Sequence, residues 1–293
     1  MQHWSASLFR KEEFLLGEGA HWHPRWEKFL FTDILGKKVG VLDPETGSLD
    51  IRDIAGQPGT VVPMLADTLL VALEDRLATL DMSSGILETL TAIEADQPGN
   101  RCNDGKCDPR GRFWVGTMDA GLAPHCGALY CFDGNLKVKR KGCSISNGLV
   151  WNADHTVMYY IDSLEYAVLA FDYDAQTGEI SRERKVISFP DNSRAPDGMA
   201  IDQEGMLWIA LWGGSCVGRF DPDSGYQLGE VSVPAPHVTS CAFGGAGLRQ
   251  LLITTARSGL DADSLVKYPL SGSLFLADTG IQGVQPYVFS GKI

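Results

Sequence analysis

The sequence contains no run of lysine or arginine longer than the three residues 139–141, and its 25 basic residues are outnumbered by 37 acidic ones, leaving a formal charge of −12. An acidic surface without a basic patch repels phosphate backbones and anionic headgroups, so neither nucleic acid nor a membrane is expected as a partner. Long apolar runs are missing as well. Nothing is long enough to span a bilayer, and the opening "MQHWSASLFRKEEFLLGEGAHW" lacks an apolar segment followed by a small-residue cleavage site. Cysteine is scarce and odd in number, at seven. Without a secretion signal the expectation is reduced thiols in a cytoplasm.

Other absences narrow the chemistry. There is no G-x-S-x-G elbow, no H-E-x-x-H, no P-loop and no dinucleotide G-x-G-x-x-G. "DPDSG" at Asp221 starts like a calcium-binding loop but has Tyr226 where that loop needs glycine. No long stretch of 3.6-residue periodicity competes for a helical reading.

What is present reads as all-β. The chain, 293 residues and 44% hydrophobic, is long enough for a full core. Short aromatic and β-branched runs recur, "KFLFTDI", "TLLVALE", "RFWVGTM", "TVMYYID", "MLWIALW" and "QLLITTA", each bounded by Gly, Pro, Asp or Asn. Downstream of them come "LDPETG", "LDMSSG", "CFDGN", "FDYDAQTG", "FDPDSG" and a weaker "YPLSG", whose Asp, Pro and Gly favour tight turns and imply six hairpins. A second marker, a polar turn feeding an aromatic strand, appears in "HPRWEKFLF", "DPRGRFWVG", "NADHTVMYY" and "DQEGMLWIA".

A period of about 40 to 50 residues carrying several short strands predicts a β-propeller of six four-stranded blades. The expectation is a single domain over residues 1–293, against the alternative of paired β-sandwiches. "ASLFRKE" near the start and "QPYVFSG" near the end read as strands that close the ring in the last blade, which removes exposed sheet edges.

Four of the cysteines, Cys102, Cys107, Cys126 and Cys131, have the spacing C-x4-C twice, as in a structural zinc site. "CGALYC" reads as extended strand, where positions five apart face opposite ways, so packed small thiols are the expected outcome. His21, His23 and His125 are read as packed or surface residues before proton carriers.

In a propeller, a site on the axis is assembled from equivalent places in different blades. Glu18 in "LGEGAHW", Asn147 in "SNGLVWN" and Asp197 in "PDGMAID" share one form: a polar residue, glycine, then an apolar strand leading into a polar turn. Taken singly, Asn-Gly and Asp-Gly are turn dipeptides. In register, two carboxylates and an amide oxygen are hard donors for one divalent metal, Ca²⁺, Mg²⁺ or Mn²⁺, with Zn²⁺ and Fe²⁺ also open, and they leave positions for water and substrate. Arg101 and Asn103 lie two apart, so in extended chain they face the same way while Cys102 faces opposite. That pair suits a polyhydroxylated or carbonyl ligand.

The ordered set "GEGAHW", "NRCNDGKCDPRGRFWVGTM", "SNGLVWN" and "PDGMAID" resembles the senescence marker protein, gluconolactonase and regucalcin family over essentially the whole chain. The resemblance implies a six-bladed propeller with one divalent metal in its channel, and many members hydrolyse sugar lactones. It implies Glu18, Asn147 and Asp197 as metal ligands, Asp197 also as catalytic acid/base, and Arg101 and Asn103 as the substrate-binding pair. Some relatives add a glutamate from the loop after "GTM"; here "DAGLAPHCGALY" is short and holds only Asp119 as an acidic residue. The expected function is a metal-dependent lactonase acting on a small sugar lactone, with no protein partner evident. A non-catalytic calcium-binding propeller and a phosphotriesterase are the alternatives.

Overall fold

Phe29, Phe31, Leu70, Val115, Tyr160, Ile209 and Leu252 lie on the middle strands of successive sheets and are all fully buried, because each sheet packs a face against both neighbours in a ring. The computed structural model describes residues 1–65 and 67–292. Among them are six sheets, each of four antiparallel strands, one with a fifth strand added in parallel. The architecture is the expected six-bladed β-propeller. The innermost strands are Gly17–His23, Thr60–Pro63, Asn100–Cys107, Ser146–Trp151, Ala195–Ile201 and Val238–Gly244.

The turn signatures fall where the third strand of a blade hands over to the fourth. Asp43 Oδ1 accepts from Glu45 N at 2.9 Å and Thr46 N at 3.1 Å. Asp81 does the same for Ser83 and Ser84, Asp174 for Gln176 and Thr177, and Asp221 for Asp223. Gly47, Gly85, Gly178 and Gly225 end these turns at positive φ, which glycine adopts without strain. In the fourth blade the capping residue is Asp174 rather than Asp172, which lies inside the strand Ala167–Asp174. The sixth turn differs. "YPLSG" precedes the strand Leu274–Asp278 and makes no third-to-fourth hairpin, because that blade's fourth strand comes from the N-terminus.

The second marker begins the link from first to second strand, at the same end of the ring as these turns, where Arg112 Nη1 donates to Gln176 O at 3.2 Å. Asp108 Oδ2 accepts from Trp114 Nε1 at 2.9 Å and Arg112 Nε at 2.6 Å; Asp202 Oδ2 accepts from Trp208 Nε1 at 2.9 Å and Arg219 Nε at 2.8 Å. Each is a buried carboxylate paired with an arginine and a core indole, so its charge is compensated.

Ring closure uses Ser7–Arg10 as the outer strand beside Leu274–Asp278, as the N-terminal run predicts. Gln2–Ser5 adds in parallel to Gln227–Ser232 of the preceding blade, and Trp4 packs on Trp208 at 5.3 Å between centroids. The other half of the closure expectation is corrected: "QPYVFSG", residues 285–291, is not a strand of the last blade. It crosses the ring beneath the ends of the inner strands. Val284 N donates to Ile201 O at 3.2 Å, Phe289 N to Pro63 O at 2.8 Å and Ser290 N to Gly111 O at 3.0 Å. Tyr287 and Pro286 cover a cavity of about 60 Å³ that His21, Lys106 and Trp151 also line. The tail occupies that end of the channel, and the candidate site is at the other.

Among the described residues no helix is long and apolar enough to cross a membrane. All seven cysteines are free. Cys102, Cys107 and Cys131 are packed in the core, Cys126 is exposed in the loop before Gly127–Phe132, and no cluster of His, Cys, Asp or Glu fit to hold a metal occurs among the described residues. The zinc-like spacing does not correspond to a site.

Candidate metal and substrate site

Glu18, Asn103, Asn147 and Asp197 are all buried near the starts of four inner strands. Each is at a break in strand pairing. The ladder to the second strand shifts between Glu18 and His21, Cys102 and Gly105, Ser146 and Leu149, and Pro196 and Met199. A bulge abandons strict alternation and re-aims a side chain. Here it turns these polar groups to the axis while Leu149 and Met199 stay in the core.

The glycine after each candidate ligand has a physical cause: Gly19 sits at φ +59°, and Gly148 and Gly198 are closely packed. A Cβ on Gly148 would lie 2.7 Å from Met199 N and 2.9 Å from Asp197 O; one on Gly198 would lie 2.5 Å from Ser240 Oγ. Asn147-Gly148 and Asp197-Gly198 are therefore strand residues where adjacent inner strands touch, and not turns.

The polar groups form a connected chain. Asn147 Nδ2 donates to Ser163 Oγ at 2.9 Å, and Ser163 Oγ donates to Pro196 O at 2.6 Å, immediately before Asp197. Asn103 Nδ2 reaches Asn147 Oδ1 at 3.1 Å and Ser146 O at 2.8 Å, while Arg101 Nη1 donates to Asn103 Oδ1 at 2.6 Å. Asn103 thus joins Arg101 to Asn147, and Cys102 points away into the blade core, as alternation requires.

Two further groups share the channel that the motif reading passed over. Asp104 is buried there and Lys106 is half-buried, its ammonium donating to Met199 O. A hint was in the sequence, since "NDGK" places a carboxylate and an ammonium around a glycine, but only the bulge brings Asp104 toward the axis.

The electrostatics are those of carboxylates short of cations. Burial, then Asp104, raises the Glu18 pKa to about 8; the Gly19 N–H and Arg101 oppose this. Burial first, then Glu18 and Asp104, pushes Asp197 well above the usual carboxyl range. Asp197 Oδ1 is buried without a hydrogen-bond partner. Three carboxylates, Glu18, Asp104 and Asp197, face Arg101 and Lys106 as cations among the described residues. An orphaned carboxylate oxygen, a second buried carboxylate and an amide oxygen turned to the axis fit a divalent cation with hard-oxygen preference.

Asp119, the acidic residue of the short loop, turns back on that loop, its Oδ1 accepting from Ala123 N at 3.0 Å. At the far end of the channel burial lowers His21 to about 3 and His23 to about 4, so both are neutral packed residues.

Residues 16–257 match the family described as SMP-30/Gluconolactonase/LRE-like region. The chain belongs to this family. Regucalcin from Oryctolagus cuniculus is 38% identical over 295 residues, spanning 96% of this chain and 99% of the relative. Among solved structures, a calcium-binding protein, regucalcin, from Agrobacterium tumefaciens matches with a TM-score of 0.94 at 27% identity over 98% of both chains. A luciferin-regenerating enzyme matches at 0.89 and 30% identity, over 97% of this chain and 99% of that one. Family members of this kind share the whole ring, including the blades that carry Glu18, Asn147 and Asp197.

Proposed function

We propose that this chain is a divalent-metal-dependent lactonase that opens a sugar lactone to the aldonic acid. The observation that supports the reading is Asp197 Oδ1, buried without a partner beside the Glu18 carboxylate, with Asn147 tied to the same segment through Ser163 and Pro196 O. Glu18, Asn147 and Asp197 would hold the ion, whose chemistry when bound is that of a Lewis acid toward the lactone carbonyl. Asp197 takes a proton from the attacking water and returns it to the departing ring oxygen. A carboxyl raised by burial would be lowered again beside a divalent charge, which leaves it ionised to accept the proton. Arg101 holds the sugar hydroxyls and thereby orients the ester carbon, with Asn103 fixing the guanidinium. Seven unpaired thiols support placing the protein in a reducing cytoplasm.

A calcium-binding role without turnover is the second reading, favoured by the description of the Agrobacterium relative as a calcium-binding protein. One experiment separates the two. Hydrolysis of five- and six-membered sugar lactones is followed by proton release, with chelated protein, metal-restored protein, and Asp197→Ala, Glu18→Gln and Arg101→Ala variants. The expected result is metal-dependent turnover, reduced at least 100-fold in Asp197→Ala on the scale typical of acid–base catalysis, about 10²–10⁴. Arg101→Ala raises KM with metal content intact. Metal binding with no turnover on any lactone moves the assignment to the second reading, and full activity in Asp197→Ala removes the mechanism.

A further inference from the structure

Two other buried carboxylates stand at matched positions beneath two of the candidate ligands. Asp33 ends the second strand of the first blade, paired with Gly17, the residue before Glu18; Asp162 ends the second strand of the fourth blade, paired with Ser146, the residue before Asn147. Each turns back on the segment leading into its inner strand. Asp33 accepts from Leu15 N at 3.1 Å and Leu16 N at 2.9 Å; Asp162 accepts from Ser144 N at 2.8 Å and Ile145 N at 3.0 Å. In both blades the two N–H groups belong to the residues three and two before the candidate ligand. The remaining contacts differ. Asp33 also accepts from Gly36 N at 3.0 Å, and Asp162 has Arg140 at 3.7 Å.

This arrangement matters because the strand ladder fails just beyond it, at the shifts after Glu18 and after Ser146. With the ladder interrupted on one side, the two carboxylate bonds act with the backbone bonds Ile34 N to Leu16 O and Ser163 N to Ile145 O, each 3.0 Å, to fix the chain on the other. Other blades show that the device is not required by the fold. In the fifth blade, Pro196 before Asp197 pairs with Leu211, which has no polar side chain, and the tie comes instead from Ser163.

We propose that Asp33 and Asp162 are positioning residues for the divalent ion, setting the backbone so that Glu18 and Asn147 meet it at bonding distance. The proposal rests on the reading of Glu18 and Asn147 as ligands. A carboxylate that only braces a loop would affect folding alone, whereas one that sets a ligand's position also affects the ion's affinity, typically by 10–100-fold when the supporting group is changed. Asp202 is the internal control. It is as deeply buried, and it accepts from Glu204 N, Met206 N, Trp208 Nε1 and Arg219 Nε, but at the far end of the strand that carries Asp197.

The test is calorimetric titration of chelator-stripped protein with Ca²⁺ and with Mn²⁺, alongside the thermal midpoint without metal, for Asp33→Asn, Asp162→Asn, Asp202→Asn and Glu18→Gln. The expected result is a loss of affinity of about 10–100-fold in the first two. Asp202→Asn lowers the midpoint and leaves affinity within about twofold. If an asparagine variant does not fold, the glutamate variant keeps both acceptor oxygens, moves them by one methylene, and enters the same comparison. Affinity in Asp33 and Asp162 variants that falls no further than in Asp202→Asn overturns the inference while Glu18→Gln still weakens binding. Unchanged affinity in Glu18→Gln, or no binding by the unaltered protein, overturns the ligand assignment itself and this inference with it.

Discussion

Ser163 has one hydroxyl proton, and its destination decides which end of Asn147 faces the channel. The proton goes to Pro196 O, so toward Asn147 the hydroxyl can only accept; the amide NH₂ must face Ser163 and the oxygen must face the axis. One side chain therefore orders two candidate ligands from different blades. Glu18 shows the same dependence on surroundings through its proton. In the unfolded chain it ionises near 4.5, but in the folded, metal-free protein burial and Asp104 hold it to about 8. Between those values the folded state binds a proton that the unfolded state lacks, so the resulting stability is full below about 4.5 and is lost as pH rises through about 8. Asp197 shifts in the same direction. In excess chelator the unfolding midpoint should fall from about pH 5 to about pH 8, and Glu18→Gln should flatten the slope. Saturating Ca²⁺ should reverse it, since the ion requires ionised ligands. Thermal scans across that range check this, and a flat profile in unaltered metal-free protein would refute it.

At the scale of the strand, the site is made by bulges and glycines acting together. The motif form of polar residue then glycine was legible because both halves have a physical cause. The bulge turns the polar side chain inward, and the neighbouring inner strand leaves no room for a Cβ after Asn147 and Asp197, while Gly19 after Glu18 takes positive φ. Asp104 was not legible, because alternation places it opposite Asn103 and only the register shift after Cys102 reverses that. Asp33 and Asp162 escaped notice for a different reason: they act through backbone N–H groups, which no side-chain pattern reports. Gly148→Ala tests the close packing directly. The added methyl would sit 2.7 Å from Met199 N and 2.9 Å from Asp197 O, forcing the fourth and fifth blades apart where Asn147 and Asp197 converge. Overpacking of this kind costs about 1–3 kcal/mol in stability. The expected loss of metal affinity and lactone turnover is larger than that of Ala→Gly controls on outer strands, such as Ala92→Gly, measured by urea unfolding and titration in parallel. Wild-type affinity in Gly148→Ala would show that the inner strands have slack there.

Across the whole molecule, blade number followed from turn spacing, but the way the ring closes depends on contacts between residues far apart in sequence. "ASLFRKE" and "QPYVFSG" have the same local character, aromatic and aliphatic residues between polar ones, and local character alone placed both in the last blade. Pairing partners separate them. Ser7 and Leu8 find the open edge at Leu276 and Phe275, whereas from Val284 onward the chain bonds across the underside of the ring. The N-terminus consequently ties two blades, since Gln2–Ser5 pairs with the fifth and Ser7–Arg10 with the sixth. Removing residues 2–10 would strip the Trp4 ring from Trp208 and expose the edge of Leu274–Asp278, leaving a row of unpaired backbone groups open to a second copy. The truncated chain should unfold at a lower temperature and self-associate in a concentration-dependent way, as read by light scattering during a thermal scan. Trp4→Ala, which keeps both strands, should lower the midpoint without promoting association. A truncated chain that stays monomeric with an unchanged midpoint would mean that the ring is held shut by the remaining contacts between the first and sixth blades, where Leu16 pairs with Ala256 and Thr239 donates to Gly17 O at 2.5 Å.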